Sequence, residues 1–390
     1  MALVLGVMFT IIAVGLVVSG TLSLRAHRTK TETSFRMHGQ SMQFARAGLI
    51  EALGWFRKQT SQPVMAFDPR LDTLATPPVL DTQEPDIGIV REFQISGLVW
   101  GRYEVWKQWD SDPNPTRLAW RRQVQCEDIS AQRGSAAAGN VWLVRSVAYV
   151  FQRPDDTKAY NVAPNRVLGS SILETELRRL TLVPPGMAAV CCGTAAGSAV
   201  RDKTNIQGAG GAAVYYRRNG TTTFTVSGGA VTQGGVTRNT STQIYDDSVT
   251  AVFGVTEDEL RSLADDRITN PADFPQPVPR QTLCFVDVPN LDVTASRRLE
   301  GNAIVYVRGN VNFQTGNQSF FTGFLYVNGN LSMSESLEFN GTIICTGTVN
   351  IQGVADWINI TYDDSALNSL RTEIGQYRLS GAIRGLQRED

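Results

Sequence analysis

Histidine is almost missing from this chain of 390 residues; the two present, His27 and His38, both precede the first proline, Pro63. Everything beyond therefore lacks an imidazole for general-base catalysis or nucleophile activation. No G-x-S-x-G, H-E-x-x-H or phosphate-loop pattern occurs, so the hydrolase, metalloprotease and nucleotide-binding classes those motifs mark are not signalled. Five cysteines (Cys126, Cys191, Cys192, Cys284, Cys345) include no C-x-x-C pair, so neither a zinc nor a thioredoxin-like site is indicated, and the odd number leaves one thiol free or shared. A net charge of −1 gives no general attraction to nucleic acid or anionic lipid. No cofactor or metal is expected.

Charge is also absent from Met1 to Leu24. This run, with Met1, Leu3, Leu5, Val7, Phe9, Ile12, Leu16 and Val18 on it, is long enough as a helix to cross a hydrocarbon core of ~30 Å. No proline interrupts the chain before Pro63, and the composition favours continued helix to about Lys58. One rod of roughly 85 Å is expected, half of it outside the bilayer. In its outer half Met42, Ala45, Leu49, Ala52 and Phe56 recur at spacings of 3, 4, 3 and 4, and Leu53 widens the stripe. That face packs on something. The plainer alternative is a signal anchor followed by an ordinary core helix.

The chain exceeds what one core usually serves. Gln62 to Pro85 holds five of 16 prolines and reads as an irregular connector. Four strand-like runs follow, Leu98–Trp109, Arg117–Cys126, Val141–Gln152 and Val167–Val183, an antiparallel sheet on the helix stripe. Asp110-Ser111-Asp112-Pro113-Asn114 begins like a calcium loop, but Pro115 stands where glycine is needed and Arg121 where the bidentate glutamate belongs. An acidic turn is the better reading.

From Pro184 a repeat appears. Val305–Phe313, Leu325–Met333 and Ile343–Ile351 align at spacings of 20 and 18 residues. Alternate positions match: Val305, Leu325, Ile343; Val307, Val327, Cys345; Val311, Leu331, Val349; Phe313, Met333, Ile351. Between them sit Arg308, Asn310, Asn312, Asn328, Asn330, Ser332, Thr346, Thr348 and Asn350. One apolar face and one polar face at this period describe successive coils of a parallel β-solenoid, with Cys345 in its core; a run of hairpins is the alternative. Ala212–Tyr216, Thr222–Val226 and Ala230–Val236 read as degenerate coils, and Cys191-Cys192-Gly193 as the opening of the solenoid. Thr256 and Glu259 form a capping box, with Val255 and Leu260 as its staple, on a short inserted helix.

The expected fold is thus α+β and β: a helix over 1–58 (1–24 apolar), an antiparallel head over 59–185, a parallel β-solenoid over 186–362 with a helical insertion at about 245–275, and a capping helix and tail over 363–390. The helix Ser365–Leu370 should close an open solenoid end, where strand edges invite association.

Ala2-Leu3-Val4-Leu5 and Ala45-Arg46-Ala47-Gly48-Leu49-Ile50-Glu51-Ala52-Leu53 resemble the start of PilX-type minor pilins, with an ALVL-like opening and an A-x-AGL-x-x-AL segment some forty residues on. VFGVTEDELRSLAD (Val252–Asp265) and ITYDDSALNSL (Ile360–Leu370) are similar to segments of β-solenoid-bearing PilX-type proteins. The resemblance implies a subunit held in the inner membrane by a single pass, its C-terminal bulk outside the cytoplasm, and later found in an extracellular filament. Its partners would be other minor pilins, the major pilin and a PilY-type tip adhesin. Two departures matter. Pilins carry a short basic leader, and none precedes Met1; read literally, Arg25, Arg28 and Lys30 would hold the bulk in the cytoplasm, and a removed leader with a methylated Met1 reverses that. Major pilins also carry a glutamate where this chain has Leu5. A carboxylate in the bilayer costs about 2.5–3.5 kcal/mol unless paired, and in the family it pairs with the amine of the preceding subunit. Leu5 cannot, which implies a subunit that starts the filament at its tip, as GspK-like pseudopilins do.

Two other functions have sequence support. Arg121-Arg122, Arg178-Arg179, Arg217-Arg218 and Arg297-Arg298 form doublets, and Arg217, Arg218, Arg297 and Arg298 would line a phosphate track in a DNA-uptake pilin. Neighbouring acids argue against it. A membrane-anchored polysaccharide-active β-helix enzyme would use paired carboxylates, for which Asp246-Asp247, Asp265-Asp266 and Asp363-Asp364 are candidates. Adjacent strand residues point to opposite faces, so such doublets suit turns and caps better, and no catalytic residue is assigned.

Overall fold

A computed structural model of the chain describes residues 32, 34–134, 137–217, 222–238, 244–374, 377–380 and 383–386. The anchor positions Met1, Leu3, Leu5, Val7, Phe9, Ile12, Leu16 and Val18, and Arg218, lie outside them. The chain divides into two compact units. One comprises Met1–Ile129, Trp142–Glu176 and Ala382–Asp390, the other Ser130–Val141 and Leu177–Gly381. Composition suggested a boundary at 185/186; contacts put it after Glu176 and exchange two segments.

In the first unit, helix α1 spans 34–58, where one rod from Met1 to Lys58 was expected; the earlier part of that rod falls outside the described residues. Among these, no helix is long and apolar enough to cross a membrane. The stripe read from spacing is the buried one: Ala45, Leu49, Ala52 and Phe56 are at most 1% exposed, whereas Met42 and Leu53 are half-buried. The Phe56 ring lies 5.3 Å from Trp142 and stacks at 5.5 Å on Phe67. Close approach depends on Gly48, where a Cβ would lie 2.3 Å from Ser146 Oγ and 3.1 Å from Tyr103. Gly48→Leu is therefore expected to lever α1 off the sheet and cost about 1–3 kcal/mol, read as a lower urea midpoint at unchanged slope.

The strands Gly88–Ser96 and Val99–Trp106 form an antiparallel hairpin, and the second pairs antiparallel with Val141–Gln152. Arg166–Arg179 comes next in order. Three of the four expected runs are strands. The fourth, Arg117–Cys126, is instead mostly helix, α2 (Pro115–Val124), and Gly88–Ser96 takes its place in the sheet. Asn114 Oδ1 caps α2 by accepting from Thr116 N and Arg117 N, and Pro115 occupies the first turn, where no amide donor is missed. Asp112 joins Arg117 (2.7 Å) and Arg121 (3.1 Å), one turn apart. The supposed turn is thus a helix cap. At the C-terminus Arg384–Leu386 pairs antiparallel with Ile172–Glu174, so part of the expected tail is a strand of the first unit.

The second unit is a parallel β-solenoid. Val305, Leu325 and Ile343 stand in register, as do Val307, Val327 and Cys345. On a second sheet Val311, Leu331 and Val349, and Phe313, Met333 and Ile351, are matched in the same way. All twelve of these residues are at most 2% exposed. Coil order does not follow chain order. The main sheet's path of eight strands begins at Val231–Gln233 and Thr204–Gln207, then passes through Ile358–Thr361, Leu337–Cys345, Ser319–Asn328, Glu300–Arg308 and Leu283–Val286 to Asp266–Ile268. Ala188–Cys192, expected to open the solenoid, lies inside the stack, pairing with Leu337–Cys345 on one side and Ala212–Tyr216 on the other. One coil is therefore shared by the first and last solenoid strands, Ala188–Cys192 and Ile358–Thr361, both of which pair with Leu337–Cys345.

From that seam the chain winds out to Val236–Arg238, crosses to Asp266, and winds back. The crossing covers seven steps of about 4.8 Å, roughly 34 Å. It carries α3 (Val249–Phe253) and α4 (Glu257–Leu263), the latter with the expected capping box, Thr256 N donating to Glu259 at 3.0 Å. Phe253 packs against Phe324, Tyr326 and Tyr306 at 5.4–6.0 Å between ring centres. Beneath it Phe285, Tyr306 and Tyr326 stack at 4.7 and 5.0 Å. Helix α5 (Asp364–Glu373), capped by Asp363, buries Ala366, Leu367 and Leu370. It packs on Ser319–Asn328 and Leu337–Cys345, in the middle of the path, so it covers the flank and does not close an open end. The cause is the strand before it, Ile358–Thr361, which lies within the stack.

Candidate functional site

In-register parallel stacking places like residues above one another, and on the second sheet it builds polar rows. Asn310 Nδ2 donates to Asn290 Oδ1 at 2.9 Å, Asn330 N to Asn310 Oδ1 at 2.9 Å, and Thr348 N and Oγ1 to Asn330 Oδ1 at 2.9 Å. Beside this row runs another, Asp292, Asn312, Ser332 and Asn350, with Asn312 Nδ2 3.2 Å from Asp292 Oδ1. Asn290 and Asn330 are exposed and the other side chains of the rows half-buried, while the apolar residues that alternate with them, such as Val311 and Leu331, are in the core. The flank is a flat array of amides and hydroxyls repeating every ~4.8 Å, suited to hydrogen-bonding a polar partner. Asn310, Asn312, Asn330, Ser332, Thr348 and Asn350 were legible as the polar face. Asn290 and Asp292 were missed, although Asn290-Leu291-Asp292-Val293 precedes Asn310-Val311-Asn312-Phe313 by the same 20 residues.

Among the described residues, the arginines of these doublets are engaged locally and at separate places. Arg217 pairs with Asp247 at 3.1 Å and lies over the Tyr245 ring. Arg297 donates to the Asp292 carbonyl, and Arg298 pairs with Glu300 at 3.7 Å. Arg217 follows a strand near one end of the path, whereas Arg297 and Arg298 precede Glu300–Arg308 toward the other. Arg178 pairs with Glu259, and Arg121 stacks 3.4 Å over Trp109. The acidic doublets are likewise used locally. Asp246 accepts from Ser248 N, Asp265 holds Arg378 bidentately at 2.8 and 3.0 Å, and Asp363 caps α5. Among the described residues no group of three or more His, Cys, Asp or Glu side chains is placed to hold a metal ion.

All five cysteines are free and buried. Cys192 and Cys345 stand in register on neighbouring strands at the seam. Burial pushes the thiols of Cys126, Cys191 and Cys284 up to about 12 and raises those of Cys192 and Cys345 too. At pH 8 a thiol of pKa 12 is ionised in about one molecule in ten thousand. Iodoacetamide should therefore leave the native protein unmodified over hours and alkylate five sites after unfolding in guanidinium, as counted by intact mass.

A helix laid on an antiparallel sheet, joined to a parallel β-solenoid with polar rows on one flank, defines the structural class of this chain. No known family profile, no curated protein and no solved structure matches it.

Proposed function

We propose that this chain is a minor subunit of a type IV pilus-like filament, of the PilX-type or GspK-like kind, acting at initiation and at the tip. The observation that carries this reading is the α1 stripe: Ala45, Leu49, Ala52 and Phe56 are consumed by the sheet, while the uncharged run Met1–Leu24 precedes the same helix in the chain. Such a segment suits lipid before assembly and the apolar segments of sister subunits afterwards. The solenoid would then be the displayed part, offering its polar flank for adhesion or for docking a PilY-type tip protein, with other minor pilins and the major pilin as neighbours. Before assembly the subunit would sit in the inner membrane with its C-terminal bulk outside the cytoplasm.

Immunogold labelling of filaments with antibody to the solenoid tests this: gold at filament ends supports the reading, and gold spread along shafts rejects it. DNA uptake is the lesser reading, because Arg217, Arg297 and Arg298 each already hold an acid or a carbonyl. A salt-sensitive gel shift by the full chain would reverse that ranking.

A further inference from the structure

The first unit holds a cleft of about 540 Å³ that neither the filament reading nor the solenoid uses. A smaller hollow of about 230 Å³ shares Trp120, Tyr149 and Ser170 with it. Trp120 comes from α2, placed there by the Asn114-Pro115 cap; Tyr149 comes from the strand Val141–Gln152. Tyr160 packs 4.7 Å from Tyr149, and its ring lies 4.8 Å from the guanidinium of the buried Arg102. The polar lining includes Ser170, Ser171, Asn161 and His38; the His38 Nδ1 lies 3.2 Å from the Ser170 carbonyl. Among the described residues no Asp, Glu, Lys or Arg lines either hollow.

Three aromatic rings with amide, hydroxyl and imidazole groups, and no carboxylate, ammonium or guanidinium among the described lining residues, suit a ligand with apolar C–H faces, hydroxyl edges and no charge. Among the described lining residues, phosphate, uronate and cationic ligands would find no guanidinium, ammonium or carboxylate to pair with. We propose that this cleft binds a neutral hexose oligosaccharide, one sugar ring stacking on Trp120 and its hydroxyls reaching Asn161 and Ser170.

The test uses the full chain in a zwitterionic, non-glycosidic detergent, titrated calorimetrically with cellotetraose, maltotetraose and laminaritetraose. Saturable binding of at least one is expected. Trp120→Ala should weaken it about tenfold or more, and Trp120→Phe, which keeps an aromatic face and core packing, should keep it within about threefold. No saturable binding by any of the three, binding that Trp120→Ala leaves unchanged, or binding of 1-decanol in their place would each overturn the proposal.

Discussion

Gly341→Val is expected to destabilise the solenoid by about 3–6 kcal/mol, the sum of a strained backbone and a collision that the strand cannot relieve. Gly341 has φ +138, and a Cβ there would lie 1.9 Å from the carbonyl oxygen of Gly323, its in-register partner on the next coil. Gly323 repeats the arrangement, with φ +146 and a Cβ position 2.2 Å from the Ala303 oxygen. The obstructing atoms are backbone within paired strands, so making room means parting two coils. Gly316→Val separates the two contributions, because Gly316 has φ +76 but open space around it. Its cost should be the conformational part alone, about 1–3 kcal/mol. Equal losses for the two variants in urea unfolding would refute the collision.

Removing Arg102 should be nearly as damaging in the first unit. Arg102 is 4% exposed and joins Glu104, Glu84 (2.6 Å) and Glu92 (2.7 Å); Glu104 is 1% exposed and also accepts from Trp106 Nε1 at 2.9 Å. Arg102→Met leaves Glu104 buried without its counter-charge, for an expected loss of about 3–5 kcal/mol at neutral pH. Burial already pushes the Glu104 carboxyl above its ordinary value, and Arg102 opposes that; the variant removes the opposition. A carboxyl raised in the folded state binds a proton there that the unfolded chain does not hold. Its contribution is complete below the unfolded value, near 4.3, and is lost as pH rises through the folded one. The deficit relative to the parent should therefore shrink between pH 7.5 and pH 5 in urea titrations. Arg102→Met with Glu104→Leu should recover most of it, and a deficit that grows on acidification would contradict this account.

Much of the fold was legible wherever a period was strict and one face was apolar. The 3-4 spacing of Ala45, Leu49, Ala52 and Phe56 marked the buried side of α1, and the 20- and 18-residue spacings gave the register of three coils to the residue. The α2 helix was misread because Trp120, Val124 and Cys126 look strand-like in isolation. The contrary signal was local: Asn114 followed by Pro115 is a helix start. Gly88–Ser96 was missed because Arg91 and Glu92 interrupt its alternation; in the fold Glu92 joins Arg102 and Arg153, and Arg91 joins Glu51. The cleft was invisible, since His38, Trp120, Tyr149, Tyr160, Asn161 and Ser170 share no spacing.

The sequence by itself determined that a solenoid forms and which residues face its core, because alternation along a strand fixes the face each side chain takes. Tertiary structure alone decided which coil lies on which. Each coil offers its neighbours a similar apolar, hydrogen-bonding surface, so the repeat cannot tell a sequential stack from one in which Ala188–Cys192 slips in beside Leu337–Cys345. The choice rests on non-repeating contacts, Thr342 Oγ1 with the Ala188 carbonyl and the crossing segment's Phe253 and Glu257 on the Tyr306 and Tyr326 stack. These join residues 49 to 154 positions apart in sequence, at separations no local pattern encodes.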